Sequence, residues 1–209
     1  KNYFNDKTRI IGVDFNPGSK KWEKYGFEVH IGNQSDPNFW KKFFEKVGKI
    51  DILIDDGGHT NEQQIVTFLN TFENINDGGL IVIEDTHTSY MREFGNPSKY
   101  SFINFCKMII DEQNSKSIKD LGYKKYLNTI HKIEIFQSLV AFHFDSSKAE
   151  KNYSIVNDGK IVNSEDYRLR DINLFTKIDK LKNYIRSKIP GSIYKILKKG
   201  YPYLKFLYF

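Results

Sequence analysis

Two short apolar runs that close on acidic residues constrain this chain more than any other feature. They are Ile50–Asp55 (IDILID), followed by Asp56, and residues 80–84 (LIVIE), followed by Asp85. Their unbroken Ile, Val and Leu content predicts strands buried on both faces, the environment of a parallel sheet flanked by helices. Residues 8–14 (TRIIGVD) and 27–31 (FEVHI) read as two further strands. Helical stretches lie between them: a short one at 20–25, one at Pro37–Val47 opened by Asp36-Pro37, and one at 61–75. In the last, Ile65, Phe68, Leu69 and Phe72 share a stripe, and Gly78-Gly79 ends the unit. This alternation predicts an α/β fold with a mostly parallel sheet. Downstream, residues 98–113 suit a helix, and 132–137 with Leu139–Phe144 predict an antiparallel hairpin that closes the sheet.

At roughly 150 residues per domain, 209 residues predict one domain with an appendage. We place the α/β domain at 1–148 and a C-terminal extension at 149–209, with a turn at Asn157-Asp158-Gly159 and an amphipathic helix at 174–188. Hydrophobic content of 39% and charge of 28% exclude a disordered chain, and no apolar run approaches the ~18 residues of a membrane span. A single cysteine, Cys106, cannot form an internal disulfide and fits a reducing compartment, hence a cytoplasmic location. The net charge of +6 is unevenly spread: residues 177–209 hold nine Lys or Arg against one Asp, whereas the rest hold 23 basic and 25 acidic residues. The basic balance therefore describes a tail, and no nucleic-acid partner is expected for the body. That tail predicts peripheral contact with an anionic membrane or packing on a second subunit in a homo-oligomer.

In a parallel sheet, ligands bind outside the carboxyl ends of the strands. Here those ends carry Asp14, Asp55-Asp56 and Glu84-Asp85. If the third and fourth strands are neighbours, Asp56, Glu84 and Asp85 converge, and carboxylates that close repel unless protonated or bound to a cation. A hard ion with oxygen ligands, Mg²⁺ above all, resolves the conflict. His59 follows in Asp56-Gly57-Gly58-His59, where two glycines permit a tight turn that aims the imidazole back as a general base. Isolated acidic residues such as Asp36 and Asp77 read instead as caps or turn formers. His30 and His143 read as packed strand residues, His131 as a surface residue, and Cys106 as a small apolar side chain. His87 lies close to the acidic pair without an evident partner. Residues 86–97, with Tyr90, Met91, Arg92 and Phe94, are expected to form a mobile lid over the acceptor.

The segments GVDFNP (12–17), IGNQSDP (31–37), IDDGGHTNEQQ (54–64) and GGLIVIEDTHTSY (78–90) resemble class I S-adenosylmethionine-dependent methyltransferases. Within that class the resemblance is to Mg²⁺-dependent sugar O-methyltransferases of the macrolide (mycinamicin) type and their cephalosporin-hydroxylase-like relatives. It implies a Rossmann-like methyltransferase sheet, with Asp56, Glu84 and Asp85 as metal ligands and His59 as the base. It further implies that Asp14 holds the ribose hydroxyls of S-adenosylmethionine, that Gln34 and Ser35 lie beside its adenine, and that Asp55 approaches its methionine part. The first strand and Gly-rich loop of that fold are missing from these residues. In the implied strand order 3-2-1-4-5-7-6, their omission leaves a gap between the strands at 8–14 and 50–55, so that the segment lies upstream or the donor site is incomplete.

The implied activity is transfer of a methyl group to a hydroxyl of a small-molecule sugar, nucleotide-linked or part of a surface glycan such as capsule or lipopolysaccharide. Two other readings compete: a metal-dependent hydrolase that activates water with the same four residues, and a non-catalytic scaffold on a degenerate methyltransferase fold. Binding of a donor analogue separates them.

Overall fold

A computed structural model describes residues 3–5, 7–95, 100–114, 128–149 and 157–160, with 180, 181, 184 and 188. The chain divides into two units, Lys1–Tyr153 and Ser154–Phe209. In the second, residues 157–159 form the expected turn with Gly159 at φ +76°, and residues 180, 181, 184 and 188 are helical. The rest of the expected tail helix lies outside the described residues.

In the first unit, β1 (Ile11–Asp14) and β2 (Glu28–Ile31) form a parallel pair. Each strand is only as long as the ladder it shares, so β1 starts three residues later than its apolar run. Between them, residues Pro17–Tyr25 form a 3-10 helix capped by Asn16, whose side chain accepts from the Gly18 amide at 2.9 Å. A second sheet has the order β3-β4-β6-β5, made of β3 (Ile50–Asp55), β4 (Ile75–Glu84), β5 (Ile130–Phe136) and β6 (Leu139–Phe144). β3 and β4 are parallel, and the hairpin of β5 and β6 closes the sheet antiparallel to β4, as the sequence predicts.

The facing stretches 8–13 and 50–57 line a groove of about 680 Å³, floored by Trp40 and Phe43. It lies where the implied strand order leaves its gap, and no described strand pairs with β1 or β3 across it.

Three helices supply the cover: α1 (Pro37–Val47), α2 (Asn61–Thr71) and α3 (Phe102–Asn114). All contribute to one core cluster with Leu53, Ile81, Ile83, Val140 and Phe142. Cross-strand register puts Leu53 beside Ile81 and Ile81 beside Phe142, so these side chains share a face. The opposite face of β3 departs from expectation. Ile52 and Ile54 are 46% and 58% exposed, because the core builds against Leu53 and no described element buries the other side.

Two further boundaries differ. α2 stops at Thr71, a 3-10 turn covers Phe72–Asn74, and Ile75 already pairs with Ile50. Leu69 accordingly faces outward, whereas Phe68 is the fully buried member of the stripe. Gly78 and Gly79 lie inside β4 rather than at a helix end: Gly78 takes a left-handed backbone at φ +83°, and a Cβ at Gly79 would sit 2.6 Å from the Asp51 carbonyl oxygen of β3.

Phe68 joins the helices to the sheet, with its ring centroid 4.7 Å from Phe142 and 5.3 Å from Phe105. Truncating a buried phenylalanine costs about 3–5 kcal/mol. Phe68→Ala should lose that much in urea unfolding, and a loss below about 1 kcal/mol would show that this contact does not hold the layers together.

Candidate metal and proton-transfer site

Two turns build the site. The first leaves β3 through Asp56-Gly57-Gly58-His59 and enters α2 at Thr60. Thr60 caps the helix reciprocally: its hydroxyl accepts from the Gln63 amide at 3.2 Å, and the Gln63 side-chain oxygen accepts from the Thr60 amide at 3.1 Å. The glycines serve packing. A Cβ at Gly57 would lie 2.2 Å from Gln34 Oε1, and one at Gly58 would lie 2.2 Å from the Gln63 amide group. The residue that takes the left-handed conformation is His59, at φ +59°. The second turn leaves β4 through Asp85, also left-handed at φ +52°, and continues into a 3-10 turn at Thr86–Tyr90.

A third non-glycine residue with positive φ, Ser138 at +62°, sits in the β5–β6 hairpin and reaches the same place. Its carbonyl accepts from the Thr86 amide at 3.2 Å, and its hydroxyl lies 2.5 Å from His87 Nδ1. Non-glycine residues rarely hold this conformation, and such positions concentrate at functional sites.

The turns bring Asp56, His59 and Asp85 together. His59 Nε2 lies 3.6 Å from Asp85 Oδ2 and 3.9 Å from Asp56 Oδ1, and one ligand atom from each of the three falls within 4.8 Å of the others. Two carboxylates at this spacing, both open to solvent, fit a hard cation that keeps several waters and takes one or two protein carboxylates. The imidazole, a poor ligand for Mg²⁺, is placed to exchange a proton beside them. Asp85 also faces His87, whose Nδ1 lies 3.7 Å from Oδ1.

Glu84 departs from the expected convergence. It is not in the cluster that forms among the described residues; its backbone carbonyl accepts from Gln64 Nε2 at 2.9 Å. Glu84 is the last residue of β4, paired with Leu139, whereas Asp85 lies beyond the ladder in the left-handed region, so adjacency in sequence does not by itself bring both to one point.

The four residues expected at the methyl donor are distributed along the carboxyl ends of β1, β2 and β3. Gln34 and Asp55 meet directly: Gln34 Nε2 donates to both Asp55 oxygens at 3.0 and 3.2 Å, while Gln34 Oε1 accepts from the Gly58 amide at 2.9 Å. Gln34 thus braces the turn that carries His59. Asp55 is 8% exposed, and burial pushes its carboxyl above the ordinary aspartate range against the opposing hydrogen bonds from Gln34 and the Gly57 amide. Asp14 stays well ionised because the Ser19 hydroxyl and the Asn16 amide donate to it. Ser35 donates its amide to Asn33 Oδ1 at 2.9 Å.

Elsewhere, Asp36 caps α1 as expected, accepting from the Asn38 amide at 2.9 Å. Asp77 instead ties β4 to the turn after β6 by accepting from the Ser146 amide and hydroxyl. His30 pairs with Glu28 and His143 with Glu134, at 2.6 and 2.9 Å. His131 is partly buried with an unpartnered Nδ1, contrary to the surface position expected. Cys106 is buried, and its thiol is pushed far up by desolvation. The expected lid is anchored at its start: Thr86, Thr88 and Ser89 are buried, Ser89 donates to Asn61 Oδ1 at 3.2 Å, and His87 and Tyr90 are exposed. Residues 96 and 97 lie outside the described residues.

The Asp55 environment is directly measurable. In metal-free protein its carboxyl carbon should titrate above an ordinary aspartate, and Gln34→Ala should raise the midpoint further by removing a donor to the ionised form. A midpoint at or below the ordinary value would contradict the burial described.

No family model matches the chain. It is 43% identical over 98 residues to L-olivosyl-oleandolide 3-O-methyltransferase of Streptomyces antibioticus, covering 47% of this chain and 25% of that protein. It is 33% identical over 114 residues to 8-demethyl-8-alpha-L-rhamnosyl tetracenomycin-C 2'-O-methyltransferase of Streptomyces olivaceus, covering 53% and 30%. With mycinamicin VI 2''-O-methyltransferase of Micromonospora griseorubida the identity is 41% over 95 residues, covering 46% and 23%. The chain therefore spans about a quarter to three tenths of the length of these curated relatives. Among solved structures, a methyltransferase of the mycinamycin biosynthetic pathway, in complex with Mg, SAH and mycinamycin VI, superimposes with a TM-score of 0.64 at 22% identity, over 77% of this chain and 40% of that one. The chain thus has the Rossmann-like α/β fold of that methyltransferase and resembles O-methyltransferases of antibiotic sugars over about half its length.

Proposed function

We propose that the protein is an S-adenosylmethionine-dependent, Mg²⁺-dependent O-methyltransferase acting on a sugar hydroxyl. The observation that carries this reading is the meeting of Asp56, His59 and Asp85 at the carboxyl ends of two neighbouring parallel strands, in a chain whose relatives are sugar O-methyltransferases.

Asp56 and Asp85 would hold Mg²⁺. When bound, the ion favours the alkoxide form of an acceptor hydroxyl, and the donor's sulfonium supplies an already activated methyl group. His59 accepts the hydroxyl proton at Nε2, and the carboxylates on either side stabilise the imidazolium that results. Since the donor would supply its methyl group already activated, no residue of the chain would need to carry it covalently. Asp14, with a firmly ionised carboxylate, would take the donor's ribose hydroxyls; Ser35 and the Gln34–Asp55 pair would flank the rest of it.

The narrower acceptor is a nucleotide-linked or surface-glycan sugar, in contrast to the antibiotic glycosides in the relatives' names. Cytoplasmic location, homo-oligomer formation and membrane contact through the basic tail belong to the same proposal. No helix among the described residues is long and apolar enough to cross a membrane.

The test is a methyl-transfer assay read by mass spectrometry over a panel of nucleotide-linked and aglycone-linked sugars. Turnover should require a divalent cation and stop with EDTA. His59→Ala should lower it at least about 100-fold while leaving calorimetric binding of S-adenosylhomocysteine unchanged. Full turnover in metal-free buffer, or loss of donor affinity in His59→Ala, would overturn these assignments.

A further inference from the structure

We infer that Thr88 is the positioning residue that ties the turn carrying Asp56 and His59 to the turn carrying Asp85, and through their spacing sets the affinity of the site for a divalent cation; this rests on the cation-site reading above. The side chain is almost fully buried, at 3% exposure, between the two turns. Its hydroxyl lies 2.8 Å from the carbonyl oxygen of His59 and 2.8 Å from that of Asp85. These are the two left-handed residues whose side chains share the site.

A hydroxyl carries one proton, so it cannot fully satisfy both carbonyls. The Asp85 carbonyl already accepts from the Thr88 amide at 3.1 Å, which frees the hydroxyl proton for His59. Thr88 is therefore a clasp, its backbone fixed to the end of β4 and its side chain fixed to the turn after β3. The residues around it are tied in the same sense. Ser89 donates to Asn61 Oδ1 at 3.2 Å, and the Phe102 amide donates to the same oxygen at 2.9 Å. Those bonds fix α2 to the segment after β4 and to the start of α3, whereas the Thr88 bond ends on the backbone of His59.

The chemistry follows from position. Asp56 and His59 ride on one turn and Asp85 on the other, so a shift of either turn changes the spacing of the two carboxylates that would hold the ion. Removing an outer partner that orients a metal ligand typically weakens metal binding 10–100-fold. A valine at this position keeps the shape of threonine but places a methyl group against two buried carbonyls, leaving that of His59 without its donor.

The test compares wild type, Thr88→Val and Thr88→Ser by electron paramagnetic resonance titration with Mn²⁺, below the thermal midpoint of every variant. Crystal structures of wild type and Thr88→Val accompany it. Thr88→Val should bind Mn²⁺ roughly tenfold or more weakly, with the His59–Asp85 spacing opened, and Thr88→Ser should restore wild-type affinity. Wild-type affinity in Thr88→Val would overturn the inference, as would failure of Thr88→Ser to rescue. If wild type itself takes no Mn²⁺, the cation-site reading fails separately. The clasp is then judged on the crystals alone: it stands if the turns part in Thr88→Val and falls if the 3.6 Å spacing and both positive φ angles persist.

Discussion

The left-handed backbone at His59 and Asp85 is the constraint on which the rest of the site depends. A strand delivers its side chains to alternating faces, and a helix start fans them out around its axis. Neither by itself gathers residues from two strands at one point. One left-handed residue at the end of each turn breaks that regularity, and the site residues then meet within 4.8 Å. Holding a non-glycine residue in this region costs on the order of 1–3 kcal/mol, so the surroundings must over-determine it. They do so through Thr60 and Gln63 at the helix cap, Gln34 beneath the glycines, and Ser138 and Thr88 around Asp85.

The sheet supplies the coarse placement. Parallel pairing of β3 and β4, with Asp55 opposite Ile83, brings their carboxyl ends side by side and leaves Asp56 and Asp85 just beyond the ladder. α1, α2 and α3 bury one face of that pair through a common core, so the strands supporting the site are held from one side. On the other side of β3, the groove facing β1 ends at Asp55, Asp56 and Gly57, and Gln34 reaches from the end of β2 to Asp55 across it. One amide side chain therefore links the two sheets at the point where the expected donor residues lie.

Much of this was legible in the residues. The acidic ends of IDILID and LIVIE marked the strands, and Asp36-Pro37 marked the start of α1. The strand order with its gap beside β1 followed from the family resemblance. What was hidden has physical reasons. Gly78-Gly79 reads as a helix stop because glycine is a common terminator, whereas here a left-handed backbone at Gly78 and the close approach of Asp51 to Gly79 require the two within a strand. Ile52 and Ile54 read as core because composition reports apolarity and not what covers it. Glu84 and Asp85 read as one group because adjacency in sequence hides that the strand ends between them, where Asp85 turns into the left-handed region. The roles of His87, Thr88 and Ser138 were hidden because their contacts join segments about 30 to 50 residues apart. The Thr60-x-x-Gln63 pattern was a capping signature that sequence reading passed over.

The central claim is that Asp56 and Asp85 form one cation site with His59 beside it. The most direct measurement is anomalous diffraction from crystals of the protein grown with Mn²⁺ in place of Mg²⁺. The account predicts one strong peak at inner-sphere distance, about 2.1 Å, from oxygens of both carboxylates, with the His59 ring outside the coordination shell. A peak elsewhere in the fold, or crystals saturated with Mn²⁺ and no density between these side chains, would contradict it.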